Sequence, residues 1–302
     1  MDYNQIFDKC DIAINEWAIS QMQQKRVKFS RNSDNSPYCQ YLNYLSKLIS
    51  TKPRAVSQSS KFNIDDAYID GFNNLKSDIV QGKDINPYLS KLINVAKKSD
   101  GMLDHFGCKH FHLGNELENN GVFVERTGPL AIGFVTNDEI FFIDVKTHTK
   151  DQDDTLWYEQ DVIEIIHQER PDLIERFKVT GFKDISPKFD TPEQIKAMRD
   201  INVNTHIVID NTTAYAPMNL GNTLGGLGIQ LTMNYINTKK AMAQAIYSFL
   251  NDFKNNVKNV TINNIEVYDL HANNSESFNH FKVDMDYQIG ADDKKHTQPF
   301  DR

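Results

Sequence analysis

The sequence predicts an α+β protein, because helical patterns fill its first third and strand patterns cluster after them. Apolar side chains recur every three or four positions in segments 4–27, 38–50 and 63–82, which is the period of an amphipathic helix. Segment 129–148 contains two apolar runs joined by a Thr-Asn-Asp-Glu turn, a pattern typical of a β-hairpin. The alternating segment 109–114 and the segment GVFVER are two further strand candidates.

The order of these patterns predicts three domains. They are a helical domain over 1–98, a four-stranded antiparallel sheet with flanking helices over 99–178, and an α+β domain over 179–302. Smaller expectations are a short helix over 86–99, a helix over 157–177 that is interrupted before Pro171, strands over 205–217, 264–271 and 281–290, a helix over 237–256 and a disordered tail over 291–302. The glycine-rich segment 220–228 lacks a Walker lysine, so we expect a loop there rather than a phosphate cradle.

The composition is that of a cytoplasmic globular protein. The net charge is −8, so the chain as a whole has no electrostatic attraction for nucleic acid, and any polyanion site must be local. No apolar run approaches the ~20 residues of a membrane helix. The mixed, acidic start is not a signal peptide, and three cysteines without a CxxC pair exclude a disulfide framework.

Histidines crowd one short apolar segment, DHFGCKHFHLG, which carries His105, His110 and His112 of the nine in the chain. Residues two apart on a strand share a face, so His110 and His112 project together. The hairpin ends in Lys146 and His148, which are also two apart. If these strands are neighbours, the four side chains converge, and Arg126 joins them from GVFVER.

Three interpretations of this cluster remain open. The histidines are half-buried strand residues without chemistry, or His110, His112 and His148 bind zinc or iron(II), with Glu116, Glu125 or Asp144 completing the set. Segment FFIDVK also resembles the acidic-x-Lys pattern of metal nucleases.

The third interpretation is RNA cleavage without a metal or another cofactor. RNA supplies its own nucleophile, the 2′-hydroxyl, so the enzyme only has to move two protons and stabilise negative charge at phosphorus. Histidine suits proton transfer near neutral pH. Arg126 and Lys146 would supply the positive charge that stabilises the transition state.

The middle segments KHFHLG, VFVERTG and LAIGFVTNDEIFFIDVKTH resemble, in their order, the RelE/barnase-type ribonuclease toxins. In that group helices precede a small antiparallel sheet whose open face carries His, Arg and Lys. The resemblance covers about 50 residues of the chain and is topological. A longer set of segments, from NPYLSKLI through RTGPLAIGFV to IIHQERP, is similar to an uncharacterised bacterial family.

From these residues we predict a nucleic-acid-cleaving effector of a bacterial toxin or phage-defence system, a metal-independent ribonuclease with RNA as substrate. The predicted catalytic residues are His110, His112, Arg126, Lys146 and His148. The alternatives are a metal-dependent hydrolase or nuclease that uses the histidines as ligands, and a non-catalytic scaffold whose N-terminal helices bind a protein partner. No membrane association is expected.

Overall fold

The computed structural model describes residues 2–119, 121–147, 154–181, 188–210, 212–218, 221, 223, 228–253, 257–269, 280–289 and 295–301. The chain divides into two compact units, Met1–Asn43 with Leu231–Arg302, and Tyr44–Gln230. The predicted α+β class is confirmed. The predicted domain limits near 98 and 178 both fall inside the second unit, because strands and helices from all three predicted domains pack together there.

The described helices are α1 (Tyr3–Gln24), α2 (Pro37–Lys47), α3 (Ile69–Gln81), α4 (Gly101–Phe106), α5 (Asp161–Glu169), α6 (Pro192–Asp200) and α7 (Ile229–Phe253). The described strands are β1 (Ala55–Gln58), β2 (Cys108–His112), β3 (Pro129–Val135), β4 (Glu139–Thr147), β5 (Lys178–Val179), β6 (Ile207–Val208), β7 (Ala214–Tyr215), β8 (Val257–Asp269), β9 (His280–Ile289) and β10 (Lys295–Asp301).

The second unit is built around a four-stranded sheet of order β1-β4-β3-β2. The predicted hairpin is confirmed as β3 and β4, which pair antiparallel with a bulge between Ile132 and Gly133. The predicted strand over 109–114 is β2, which pairs antiparallel with β3.

The fourth strand was predicted wrongly. GVFVER is not a strand of this sheet, and its Val124 forms only an isolated bridge with Leu117. The fourth strand is β1, from a segment whose Pro53 and serines predicted a loop, and it pairs parallel to β4. Only Val56 among these four residues has a high strand propensity, so the segment carries little strand signal, and pairing to β4 stabilises it.

Both faces of this sheet are covered. On one face Phe111, Ala131 and Phe142 pack with apolar residues of α3, including Phe72 and Leu75. On the other face the core consists of residues from β2, β3, β4 and α5, among them Cys108, Leu130, Ile132, Val162 and Ile166. The face expected to be open therefore carries a second core, which α5 closes.

The other expectations were met in part. Helix α5 ends before Pro171 as predicted, but segment 86–99 forms two short 3-10 turns, Asn86–Tyr88 and Lys91–Asn94. Segment 205–217 forms two short strands in a sheet of order β5-β7-β6, and helix α7 begins earlier than predicted. The tail, predicted to be disordered, contains β10, which pairs with β9 in the sheet β10-β9-β8 of the first unit.

Candidate functional site

Strand β2 places His110 and His112 on the face that also carries Leu130 and Ile132, their cross-strand neighbours on β3. The side chain of His110 is 13 % exposed, and His112 is 8 % exposed. Both imidazoles are thus held among packed neighbours, with a small part of His110 open to solvent.

A carboxylate faces His110. The Nδ1 atom of His110 lies 3.9 Å from Oδ2 of Asp100, a distance suited to an ion pair but too long for a hydrogen bond. Asp100 is itself fixed, because it caps α4 and its Oδ1 accepts a hydrogen bond from the Leu103 N–H at 3.1 Å. The ring of Trp157 also lies beside His110, with its centroid 4.9 Å from that of His110.

The backbone fixes the orientation of His112. Its Nδ1 accepts a hydrogen bond from the Thr127 N–H at 3.2 Å, so in the neutral ring the proton resides on Nε2. Thr127 is held in turn, because its Oγ1 accepts from the Leu113 N–H and donates to the Pro129 carbonyl. His112 therefore presents an N–H donor in a fixed direction.

Lys146 lies across the sheet from His112, with Leu130 between them in the ladder. Its ammonium contacts three carboxylates, those of Asp161, Glu159 at 2.8 Å and Asp144 at 3.6 Å. Burial lowers the pKa of Lys146, but the hydrogen bonds to Asp161 and Glu159 outweigh burial and raise the pKa above its usual value. The surroundings of Lys146 carry more negative than positive charge.

Arg126 is directed elsewhere. Its Nη1 donates to the Leu89 carbonyl at 2.9 Å, and burial lowers the pKa of its guanidinium against the opposing effect of Glu118. Its neighbour Thr127 is the residue that reaches His112. The fifth predicted residue, His148, lies outside the described residues, and so does the glycine-rich segment except Gly221, Thr223 and Gly228.

Two buried lysines lie close to β2, and Lys109 shares the face of Phe111, opposite the histidines. Lys109 donates to the carbonyls of Ser46 and Lys47, both at 2.9 Å, while Lys47 donates to the carbonyls of Leu92, Val95 and Lys98. Burial lowers the pKa of each ammonium to about 8, and Asp100 and Asp104 oppose the shift. These lysines hold backbone carbonyls, so we assign them a structural role.

His105 is fully buried in α4. Neither ring nitrogen has a hydrogen-bond partner among the described residues. Burial, reinforced by the positive charge of Arg199, lowers the pKa of His105 to about 3, so the ring is neutral. Next to it burial raises the pKa of Asp104 to about 6, with Asp100 adding to the effect and Arg199 opposing it. The sequence placed His105 in the cluster without indicating this burial.

Sequence reasoning missed Asp100, Thr127 and Trp157. Asp100 carried a signal, since an Asp before a short helical segment is typical of a helix N-cap. Nothing in the spacing of Asp100 or Trp157 indicated that either would meet His110.

Among the described residues no group of three or more His, Cys, Asp or Glu side chains is arranged to hold a metal ion. None of the described helices combines the length and the apolar content needed to cross a bilayer. Comparison with protein-family models, curated proteins and solved structures finds no match to this chain.

Proposed function

We propose that the chain is a ribonuclease that cleaves RNA by acid–base chemistry at His110 and His112. The observation that carries the proposal is that the two imidazoles have different fixed neighbours. His110 faces the Asp100 carboxylate through Nδ1, which favours a proton on that nitrogen and leaves Nε2 as a base. The Thr127 N–H donates to Nδ1 of His112, so the neutral ring of His112 carries its proton on Nε2 and can donate from there.

The chemistry that follows needs one base and one donor. His110 Nε2 takes the proton of a 2′-hydroxyl, and the resulting oxygen attacks the adjacent phosphorus. The bond from phosphorus to the 5′ oxygen breaks, that oxygen takes a proton from water, and a 2′,3′-cyclic phosphate remains. The hydroxide left from the water takes back the proton that His110 removed, which restores the neutral imidazole. The Asp100 carboxylate stabilises the imidazolium that forms on His110, and the Nε2–H of His112 donates to a phosphoryl oxygen as negative charge grows.

Two further features bear on the substrate. Trp157 beside His110 offers an aromatic face on which a base can stack. Lys146 has no phosphate-binding role in the proposal, because three carboxylates already neutralise its charge. A toxin or phage-defence setting rests on the resemblance of the middle segments to the RelE/barnase-type toxins.

One observation favours a second candidate, a metal-dependent nuclease. Asp144, Glu159 and Asp161 all contact the Lys146 ammonium; they are not arranged to hold a metal ion in this structure, but carboxylate oxygens are the ligands that Mg²⁺ prefers. In that reaction activity requires a divalent cation, and the products carry no cyclic phosphate.

The test is the cleavage of single-stranded RNA in EDTA by the wild type and by His110→Gln and Asp100→Asn. We expect each variant to lose about 10²- to 10⁴-fold in rate. Asn is as good a helix cap as Asp, so Asp100→Asn removes the charge and keeps the cap of α4. His206→Gln, at an exposed histidine, is the matched control and should retain full activity. Activity that disappears in EDTA would favour the metal-dependent candidate instead.

A further inference from the structure

In the first unit a groove of about 490 Å³ runs between α1 and β8. The helix contributes Lys9, Ile12, Ala13 and Glu16 to one wall, and residues 262–267 of β8 line the other. Trp17 also lines the groove, and its Nε1 donates to the Tyr268 carbonyl at 3.3 Å. The groove lies within one compact unit.

Helix α1 has two stripes with different surroundings. Ile6, Cys10 and Ile14 form a fully buried stripe. Beside it Lys9, Ile12, Ala13 and Glu16 stand three and four positions apart, so they form a second stripe along the groove. Ile12 is 65 % exposed, which leaves a large apolar side chain in solvent at the centre of this second stripe.

We propose that the groove binds the same stripe of a second copy of this chain, so that two α1 helices pack antiparallel in a twofold-symmetric dimer. In such an interface residue i of one copy meets residue j of the other, and j meets i. Lys9 and Glu16 are equally distant in sequence from the midpoint between Ile12 and Ala13. An antiparallel crossing at that midpoint places each Lys9 opposite Glu16 of the other copy.

The walls of the groove fit this occupant. Ile12 of the second copy enters between α1 and β8, where the wall of the groove includes the half-buried Val267 beside the more deeply buried Ile262 and Ile265. Glu266 on β8 adds a second carboxylate to the lining of the groove. The interface uses side chains rather than strand pairing, because bulges interrupt the β8 ladder and bulges disfavour pairing at a sheet edge.

Sedimentation equilibrium of the full chain at micromolar concentration is the first test, and the wild type should be a dimer. Ile12→Asp should weaken self-association at least about tenfold, because it places a carboxylate at the centre of the interface. Ile201→Asp is the matched control, since Ile201 is 64 % exposed and lies in the second unit, and it should leave the dimer intact. Circular dichroism should show both variants folded.

Charge exchange tests the reciprocal pairing. Lys9→Glu and Glu16→Lys should each give a monomer, because each places like charges opposite one another twice. A mixture of the two variants should form a heterodimer, since both pairs then have opposite charges. A monomeric wild type, a dimer that Ile12→Asp does not weaken, or failure of the mixture to associate would overturn the proposal. None of these outcomes bears on His110, so the proposed ribonuclease activity stands or falls separately.

Discussion

Replacing His105 by Leu should make the protein less sensitive to acid. The ring is fully buried, its nitrogens have no hydrogen-bond partner among the described residues, and its pKa is about 3 in the folded chain against an ordinary 6.5. Between these two values the unfolded chain binds a proton at His105 that the folded chain does not. Above about pH 6.5 His105 therefore does not reduce the free energy of unfolding. As the pH falls from 6.5 toward 3, proton binding to His105 in the unfolded chain lowers that free energy progressively.

The size of the effect follows from linkage. Between pH 7 and pH 5, His105 alone should remove about 2 kcal/mol of unfolding free energy. Asp104 acts in the opposite direction, because burial raises its pKa to about 6 and the folded chain binds its proton first as the pH falls. Asp104 is present in both proteins, so its contribution largely cancels when the two are compared.

The assay is urea denaturation of the wild type and of His105→Leu at pH 7 and at pH 5. Leu has nearly the volume of His and needs no hydrogen bond, so the variant should be at least as stable at pH 7. The difference in unfolding free energy between His105→Leu and the wild type should then increase by about 2 kcal/mol, in favour of the variant, at pH 5. Ile201→Leu, at an exposed position without a titratable group, should show no such increase. An advantage that does not change with pH would refute the assignment of His105 as a buried neutral ring.

Three further substitutions test the packing around the site. Phe111→Ala should cost about 3–5 kcal/mol of unfolding free energy, since Phe111 is fully buried opposite the histidines, and an equal loss in His110→Ala would show that His110 is a core residue. Gly71→Ala should lower the melting temperature, because the new Cβ would lie 2.0 Å from the Leu113 carbonyl oxygen. This clash should outweigh the helix propensity of Ala, which exceeds that of Gly by about 1 kcal/mol. A higher melting temperature would contradict the contact between Gly71 and Leu113. Lys109→Met should cost about 1–3 kcal/mol of unfolding free energy, because the buried Lys47 carbonyl and the partly buried Ser46 carbonyl lose their donor. Unchanged stability would show that the ammonium is dispensable.

Local patterns predicted the hairpin, the helices α1, α2, α3 and α5 and much of α7, because these elements depend on neighbours close in sequence. Two apolar runs, over 129–135 and 139–147, with a turn between them, are sufficient to predict β3 and β4. Strand β1 could not be predicted in the same way, since Ala55–Gln58 is stabilised by pairing with β4, more than eighty residues away.

The site was predictable to a similar extent. Because His110 and His112 are two positions apart, the sequence predicted that they share one face of β2. It gave no indication that α5 covers that face. Lys146 was expected to supply free positive charge, and the carboxylates of Glu159 and Asp161 that neutralise it come from outside the strand. The contact of Asp100 with His110 depends on how α4 turns back to β2, and no sequence spacing encodes it.

The central claim is that His110, oriented by Asp100, acts as a base on RNA. The most direct measurement is the chemical identity of the ends produced from a defined RNA in EDTA. We predict 2′,3′-cyclic phosphate ends with the wild type and with His206→Gln, and a loss of about 10²- to 10⁴-fold in their rate of formation with His110→Gln and Asp100→Asn. Intact RNA, cleavage only with added Mg²⁺, or cyclic ends at the wild-type rate in His110→Gln would contradict it.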